Sequence, residues 1–301
     1  MKRTNPVLVE EGASGAAFAE PKTFSQPVVE TVAGTQIPRL GFGTYRLRGD
    51  SARSMTRLAL QSGVRHVDTA QMYGNEAEVG QGLADSGVDR NEVFVTTKID
   101  NHNHEPDALV ASVHESLDRL GMDQLDLLLI HWPVEWDRIG ATLSQLAQVQ
   151  AGGLTRHIGV SNFTIEQLEI AAHYAPLEVL QAECNPFFQQ SELRDWCAKN
   201  GWVFTAYSPL GQGKALDHPT LVDIASAHDT APSAVALAWL MTLTGVSVIP
   251  RTSSPAHLEE NLAARDLVLT DNDCQRIAGL GTGQRFVDPD FAPWNNERWN
   301  V

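Results

Sequence analysis

Four side chains that can take part in proton transfer stand at or close to the ends of apolar runs. Asp68 ends "VRHVD", Lys98 ends "VFVTTK" and His131 ends "LDLLLIH", while Tyr73 follows the first run within "DTAQMYGNE". A tyrosine hydroxyl has a pKa of about 10, too high for ready proton exchange at neutral pH, and a nearby cation lowers it. We expect Lys98 to provide that cation and Asp68 to hold Lys98 charged. His131 would orient a substrate oxygen toward Tyr73, the general acid.

Strand-like and helix-like stretches alternate from about Leu40 onward, which is the pattern of strands followed by crossover helices. The strand candidates are "RLGFG", "VRHVD", "VFVTTK", "LDLLLIH", "HIGVSN", "EVLQ", "WVFTAYS" and "VSVIPRT". Among the intervening stretches, Thr164 with Gln167 and Asn75 with Glu78 resemble capping boxes at helix starts.

Eight strands, each followed by a helix over about 260 residues, match a (β/α)₈ TIM barrel in size and order. A doubly wound sheet is the structural alternative. The stretch "VVETVAGTQI" predicts a hairpin before the first barrel strand, and the C-terminal tail is expected near the barrel mouth. We predict a single domain over residues 28–301, with residues 1–27 as an N-terminal arm that is either flexible or docked on the surface.

Composition excludes several classes of function. The chain of 301 residues has 43% hydrophobic residues and carries 22 basic against 37 acidic side chains, for a formal net charge of −15. Nucleic acids and anionic membranes need clustered cations, so neither is an expected partner. Three scattered cysteines favour a reducing compartment, with the cytoplasm as the default. His102 and His104 lack a third ligand at a usual spacing, and no metal is expected.

The segment "GVRHVDTAQMYGNEAEVG" closely resembles the aldo-keto reductase motif G-x-R-H-x-D-T-A-x-x-Y-x-N-E-x-x-x-G. Lys98 in "VFVTTK" and His131 in "LLLIHWP" match two further motifs of that family in the same order. The resemblance runs from about residue 28 to the end. It implies a (β/α)₈ barrel, the catalytic tetrad Asp68, Tyr73, Lys98 and His131, and nicotinamide-dependent interconversion of aldehydes or ketones with alcohols.

The resemblance also implies a cofactor site without a dinucleotide-binding glycine fingerprint, because Arg46 replaces the third glycine of "GFGTYR". Ser161, Asn162 and Gln181 would hold the nicotinamide carboxamide, and Tyr207 would stack on the ring. The remaining implied cofactor residues are Gly43, Thr44, Ser208, Leu210, Gly211, Arg251, Thr252, Ser253, His257, Glu260 and Asn261.

The preference for NADPH over NADH depends on the segment "IPRTSSPAHLEEN". Ser254 and Pro255 are placed as cap and first turn of a helix, so Arg251 lies beside a helix amino end that favours a phosphate. The family usually has an Arg where His257 stands, and a neutral imidazole weakens one contact to the 2′-phosphate. NADPH is therefore expected, and NADH use is less strongly excluded than usual.

We expect the substrate to be a small carbonyl compound. The side chains expected to line its pocket and set its shape are Tyr45, Met72, Trp132 and Trp294. The connections "WPVEWDRIG" and "SPLGQGKALDHP" are short, as in bacterial members of the family, which predicts an open site and easy release of the cofactor. The sequence does not determine the oligomeric state, for which a monomer is the working expectation. Two alternatives stay open: a cofactor-binding regulatory protein with little turnover, and an aldolase or isomerase that uses a Lys98 Schiff base.

Overall fold

The computed structural model describes residues 22, 24 and 26–295. Over these residues the strands are β1 Val28–Glu30, β2 Gln36–Pro38, β3 Phe42–Gly43, β4 His66–Asp68, β5 Phe94–Ile99, β6 Leu125–Ile130, β7 Thr155–Ser161, β8 Val179–Glu183, β9 Val203–Tyr207 and β10 Val246–Val248. The α-helices are α1 Gly49–Gln61, α2 Glu76–Asp85, α3 Pro106–Leu120, α4 Ile139–Ala151, α5 Ile165–Ala171, α6 Ser191–Asn200, α7 Pro219–Ala227, α8 Pro232–Thr242, α9 Pro255–Leu262 and α10 Asp271–Ala278.

Strands β3 to β10 form one parallel sheet in which spatial order follows chain order. The two end strands also approach each other, since Leu40 pairs with Val248 in a parallel bridge and the Gly41 amide donates to the Val248 carbonyl over 2.8 Å. A doubly wound sheet reverses its strand order at a switch point, and this sheet does not. The predicted α/β class with eight parallel strands is confirmed, and the curled sheet is consistent with a (β/α)₈ fold.

The predicted hairpin is also confirmed: β1 and β2 pair antiparallel around Gly34, which has a positive φ of 85°. Val29 and Ile37 of the hairpin pack with apolar residues inside the curled sheet, among them Phe94 and Leu127. The hairpin therefore covers the amino-terminal end of the sheet. A second, larger apolar cluster lies between the sheet and the helices.

The predicted helix starts have different outcomes. Thr164 and Gln167 form a reciprocal capping box at the start of α5, as expected. Asn75 precedes α2, but its side chain makes no capping hydrogen bond, so the predicted capping box there is wrong. The Asn75 amide instead donates to the carbonyl oxygens of Thr44 and Leu47.

The predicted N-terminal arm lies outside the described residues except for Lys22, Phe24 and residues 26–27. The Lys22 amine lies 2.8 Å from the buried Asp126 carboxylate and donates to the carbonyl oxygen of Val93 over 2.6 Å. The Phe24 ring packs edge-on against Phe94, with 6.4 Å between ring centroids. This part of the chain is therefore held against the amino-terminal end of the sheet.

Candidate active site

Parallel pairing of β4, β5 and β6 brings Asp68, Lys98 and His131 to the same edge of the sheet. Lys98 is fully buried and Asp68 is 2% exposed. The Lys98 amine donates to Oδ1 of Asp68 over 2.5 Å and to the Thr69 carbonyl over 2.8 Å. Burial lowers the pKa of Lys98, and the Asp68 charge opposes that shift. The carboxylate thus favours the charged form of an amine that water cannot reach.

Tyr73 reaches this ion pair from the short helical turn Gln71–Tyr73 that follows β4. The turn is held by Gln71, whose amide donates to the Ser112 and Ser116 hydroxyls of α3. The Tyr73 hydroxyl accepts a hydrogen bond from the Lys98 amine over 3.4 Å. Three of the sequence-predicted catalytic side chains therefore share one hydrogen-bonded chain from Asp68 through Lys98 to Tyr73.

The pKa of Tyr73 differs from the expectation that Lys98 lowers it. Burial, followed by the negative charge of Asp68, raises the pKa of Tyr73 well above its ordinary value. The expectation was wrong because a sequence shows the nearby cation but not the desolvation of the hydroxyl. In this state Tyr73 holds its proton firmly at neutral pH.

The His131 ring packs edge-on against the Tyr73 ring, with 5.7 Å between ring centroids. Burial, with the Lys98 charge as the second cause, lowers the pKa of His131 well below its ordinary value. The imidazole is therefore neutral and can present one N–H to an oxygen atom. Its Nδ1 has no hydrogen-bond partner among the described residues.

The residues expected to hold the nicotinamide carboxamide lie beside the tetrad. The Gln181 amide donates to Oδ2 of Asp68 over 2.8 Å, so it also orients the carboxylate. Asn162, with a positive φ of 66°, donates to the His131 carbonyl and accepts a 2.8 Å hydrogen bond from the Tyr207 hydroxyl. The Ser161 hydroxyl accepts from the Asn162 amide. These polar groups are joined in one network.

Other predicted cofactor residues line the same edge of the sheet through their backbone. A Cβ at Gly43 would lie 2.9 Å from the Ile249 carbonyl oxygen, so this position needs glycine for close approach of β3 to the segment after β10. The Thr44 hydroxyl donates to the Asp68 carbonyl over 3.0 Å. Ser208 and Gly211 both have positive φ, which shapes the turn after β9, and Leu210 lies between them.

The segment after β10 presents a donor set suited to a phosphate. Ser254 caps α9 and Pro255 begins it, as predicted, so the helix amino end lies beside the exposed Arg251. The Arg251 Nε donates to the Tyr45 carbonyl over 3.1 Å, which leaves the other guanidinium nitrogens available to a ligand. Ser253, His257 and Glu260 are exposed, whereas Thr252 and Asn261 are buried.

Aromatic residues form a wall around the tetrad, and three of the four predicted substrate residues belong to it. Tyr45 is 53% exposed and its ring lies 5.1 Å from that of Tyr73. Trp132 is buried beside His131, and Trp294 of the C-terminal tail lies 5.7 Å from it between ring centroids. The fourth predicted substrate residue, Met72, is 40% exposed next to Tyr73.

Sequence reasoning missed the residues that attach the tail. The buried Glu183 carboxylate accepts hydrogen bonds from the backbone amides of Phe286 and Val287. The Arg285 guanidinium lies 3.5 Å from the Trp294 ring centroid and 4.3 Å from that of Phe188. Glu183 follows Gln181 by two positions in β8, so strand alternation could have placed both on the same face. Nothing in the sequence pattern pointed to Arg285.

Residues 39–281 match the aldo/keto reductase family, and the chain belongs to that family. Methylglyoxal reductase DkgB of Salmonella typhimurium is 43% identical over 263 residues, which cover 85% of this chain and 98% of that protein. An aldo-keto reductase of Mycolicibacterium smegmatis is 39% identical over 265 residues, covering 87% of this chain and 96% of that one. The resemblance inferred from the motifs is thereby confirmed.

Solved structures of related proteins match the fold of this chain. The crystal structure of an aldo/keto reductase from Brucella melitensis matches with a TM-score of 0.81 at 36% identity, covering 85% of this chain and 100% of that one. A Bombyx mori aldo-keto reductase in complex with NADP matches with a TM-score of 0.81 at 30% identity, covering 88% and 96%. The chain is an NAD(P)H-dependent oxidoreductase that acts on carbonyl groups. Within the described residues, no helix is long and apolar enough to span a membrane.

Proposed function

We propose that this chain reduces small aldehydes or ketones to alcohols with NADPH and that Tyr73 is the general acid. The observation that supports this most is the buried hydrogen-bonded chain from Asp68 through Lys98 to the Tyr73 hydroxyl, with distances of 2.5 Å and 3.4 Å. In this proposal the four groups predicted from the motifs act together on one carbonyl oxygen.

Tyr73 gives its proton to the carbonyl oxygen and becomes a phenolate. The raised pKa of Tyr73 keeps the proton in place until reaction, and it also makes the phenolate costly. Lys98 offsets that cost, because its ammonium lies next to the oxygen that becomes negative. Asp68 keeps Lys98 charged, and Gln181 holds the second carboxylate oxygen in place.

His131 orients the substrate. Its neutral ring lies beside Tyr73 and can donate one N–H to the same carbonyl oxygen. The Asn162 amide fixes the position of the His131 backbone, and Tyr207 fixes Asn162 in turn. A misplaced imidazole would hold the oxygen away from the Tyr73 proton, and catalysis is sensitive to such shifts.

The chain's donors fit a phosphorylated dinucleotide. The exposed Arg251 guanidinium and the amino end of α9 would hold the 2′-phosphate of NADPH, with Ser253 beside them. Ser161, Asn162, Gln181 and Tyr207 would hold the nicotinamide end. When bound, the reduced nicotinamide supplies the hydride that no side chain can supply. The Bombyx mori relative that was solved with NADP supports the same choice of cofactor.

A small 2-oxoaldehyde such as methylglyoxal is the substrate class we favour, because relatives 43% identical are methylglyoxal reductases. The aromatic wall of Tyr45 and Trp132, with Trp294 behind it, accommodates the short carbon chain of such a compound.

We also propose that the curled sheet is a closed (β/α)₈ barrel within one domain, and that the protein works in the cytoplasm. All three cysteines are free, which fits a reducing compartment.

A Lys98 Schiff base is disfavoured by the same geometry. The Lys98 amine is engaged by Asp68, Thr69 and Tyr73, and Asp68 favours the ammonium form. An imine-forming lysine must present a neutral, accessible nitrogen to its substrate. Lys98 presents neither.

The test compares wild type with Tyr73→Phe, using NADPH oxidation with methylglyoxal and a panel of small aldehydes. We expect kcat to fall by about 10²–10⁴-fold, because a general acid contributes about that much, while NADPH binding measured by fluorescence titration stays the same. Tyr174→Phe is the matched control, since this half-exposed tyrosine lies outside the site. Full activity of Tyr73→Phe would rule out the proposed acid. A wild-type protein that binds NADPH but reduces no aldehyde would favour the regulatory alternative.

A further inference from the structure

A cavity of about 190 Å³ lies at the amino-terminal end of the sheet, on the side opposite Tyr73. Four parts of the chain line it: the segment before β1, the residues between β2 and β3, the end of α8 and the turn after α9. Its polar lining includes Gln26, Arg39 and Arg265, and most of the other lining residues are apolar. No carboxylate is among the described residues that line it.

Arg265 is the residue that indicates a ligand. Its Nε and Nη2 are buried and have no hydrogen-bond partner among the described residues. Nη1 makes a single 3.4 Å hydrogen bond to the Ser62 carbonyl. Nε and Nη2 lie on one edge of the planar guanidinium, which is the edge that binds a carboxylate or phosphate through two parallel hydrogen bonds.

The surroundings compensate the Arg265 charge only in part. Burial lowers the pKa of Arg265, Asp266 raises it and Arg65 lowers it again. Arg39, the second cation of the cavity, donates to the carbonyl oxygens of Val28 and Met241. The Gln26 Nε2 is a further buried donor without a partner among the described residues. A buried charge without a partner is costly, so an anion here would relieve an existing penalty.

We propose that this cavity binds a small oxyanion, a phosphate or carboxylate group, on the Nε–Nη2 edge of Arg265 with Gln26 as a third donor; because these nitrogens are enclosed in the structure, both side chains turn toward the cavity when the anion binds. The volume is sufficient, because a water molecule occupies about 30 Å³ of the liquid and the cavity is several times larger. The ligand would join the start of the barrel to its last helices. This site is separate from the active site and does not depend on the proposed function.

The experiment uses the full-length protein and inorganic phosphate as the probe, with sodium chloride at matched ionic strength as the reference. Isothermal titration and the melting temperature both report binding. We expect saturable binding of phosphate at millimolar concentration, with a rise in melting temperature. Arg265→Gln should weaken binding by at least about tenfold, and Arg265→Lys should weaken it less, because a point charge remains but the planar fork is lost.

Two further variants separate phosphate binding at Arg265 from binding at exposed cations. Arg276→Gln removes an exposed arginine elsewhere on the surface and should leave phosphate binding unchanged. Arg251→Gln removes the cation of the proposed dinucleotide site, so it should abolish only phosphate binding at that site and leave the binding that depends on Arg265 unchanged. Loss of binding in Arg251→Gln with full binding in Arg265→Gln would overturn the proposal and assign phosphate to the dinucleotide site. The proposal would also be overturned if Arg276→Gln lost as much phosphate binding as Arg265→Gln, or if the wild-type protein showed no saturable phosphate binding.

The melting temperature without phosphate distinguishes ligand binding from a structural role. If Arg265 serves to bind an anion, Arg265→Gln should be at least as stable as wild type when no anion is present, because a buried unpaired charge is removed. A structural role predicts a lower melting temperature in that variant. A loss of stability in Arg265→Gln at zero phosphate, together with unchanged phosphate binding, would overturn the proposal.

Discussion

The ammonium group of Lys98 has no exposed surface and depends on three oxygen atoms of the chain. These belong to the Asp68 carboxylate, the Thr69 carbonyl and the Tyr73 hydroxyl. Of the three, only Asp68 carries the opposite charge. The stability of the fold therefore depends on this ion pair, and in the proposed function the general-acid role of Tyr73 depends on it as well.

We predict that Asp68→Asn lowers the free energy of unfolding by about 3 kcal/mol, because loss of one partner leaves a buried charge uncompensated. The same variant should lose most of its kcat. Chemical denaturation and steady-state kinetics measure the two effects. Asp85→Asn is the matched control: Asp85 also pairs with a cation, Arg53, but both of these side chains are open to solvent, with exposures of 34% and 47%. Equal stability of Asp68→Asn and Asp85→Asn would contradict the prediction.

At this scale the sequence predicted which side chains meet but not how their environment acts on them. Asp68, Lys98 and His131 end parallel strands, so their convergence followed from strand order alone. The raised pKa of Tyr73 comes from burial of its hydroxyl, which depends on packing by residues distant in sequence. Glu183 and Arg285 were missed because their partners are backbone amides and ring faces of the tail, which carry no sequence motif.

Helix α2 directly follows the turn that carries Tyr73, and it packs closely on α1 and α3. A Cβ at Gly80 would lie 2.5 Å from the Leu120 carbonyl oxygen at the end of α3. Gly80 is the last glycine of the family motif in "MYGNEAEVG". Its role is to allow the close approach of α2 and α3, and this approach also positions Gln71 beside Ser112 and Ser116.

We predict that Gly80→Ala destabilises the protein by about 2 kcal/mol, because overpacking costs more than alanine gains as a helix former. Denaturant unfolding measures this change, and kcat should fall with it if α2 shifts. Gly279→Ala is the control, since φ there is −69° and the added Cβ would meet its nearest atom at 3.4 Å. A Gly80→Ala protein as stable as Gly279→Ala would show that α2 can move away without cost.

Element boundaries were predictable where a local signal determines them. The Thr164 cap and the Ser254–Pro255 start of α9 depend on neighbouring residues, and both agree with the structure. Asn75 is a residue type that commonly caps helices, but its side chain does not cap α2. It donates instead to the carbonyl oxygens of Thr44 and Leu47, which follow β3 and need a hydrogen-bond donor. Such competition between local and distant partners is not visible in a single sequence.

The whole molecule is held at its amino-terminal end by the hairpin and by Lys22. The nearly buried Lys22 amine forms an ion pair with the Asp126 carboxylate. A second oxygen of that carboxylate lies 2.7 Å from the Arg90 guanidinium. Burial, opposed by Asp126, lowers the pKa of Lys22 to about 8. The unfolded chain keeps this proton up to about pH 10.5, so the unfolded state binds more protons between these two values.

We predict that this difference makes the free energy of unfolding rise with pH between about 8 and about 10.5, by at most ~3 kcal/mol from Lys22. Lys22→Met should flatten the wild-type curve over that window. Lys199→Met, at an exposed lysine, should keep the wild-type slope. Urea unfolding at a series of pH values provides the comparison, and parallel curves for wild type and Lys22→Met would refute the proposed role of Lys22.

The overall architecture was the most predictable level, because the alternation of strands and helices repeats along most of the chain. The role of Lys22 was not predictable, since a lone lysine in a polar segment gives no indication that it will be buried. Its burial depends on Asp126, a carboxylate 104 positions later in the chain.

The C-terminal tail uses main-chain amides for attachment to Glu183 and aromatic side chains for contact with Trp132. Glu183 holds it through main-chain amides of Phe286 and Val287, which any amino acid except proline would supply at those positions. The side chains farther along, Phe291 and Trp294, are those that touch Trp132. Under the function proposed above, exchanging residues 288–294 would change the aromatic groups beside Trp132 and keep the Glu183 anchor, but it would preserve the Arg285 contact only if position 294 stays aromatic.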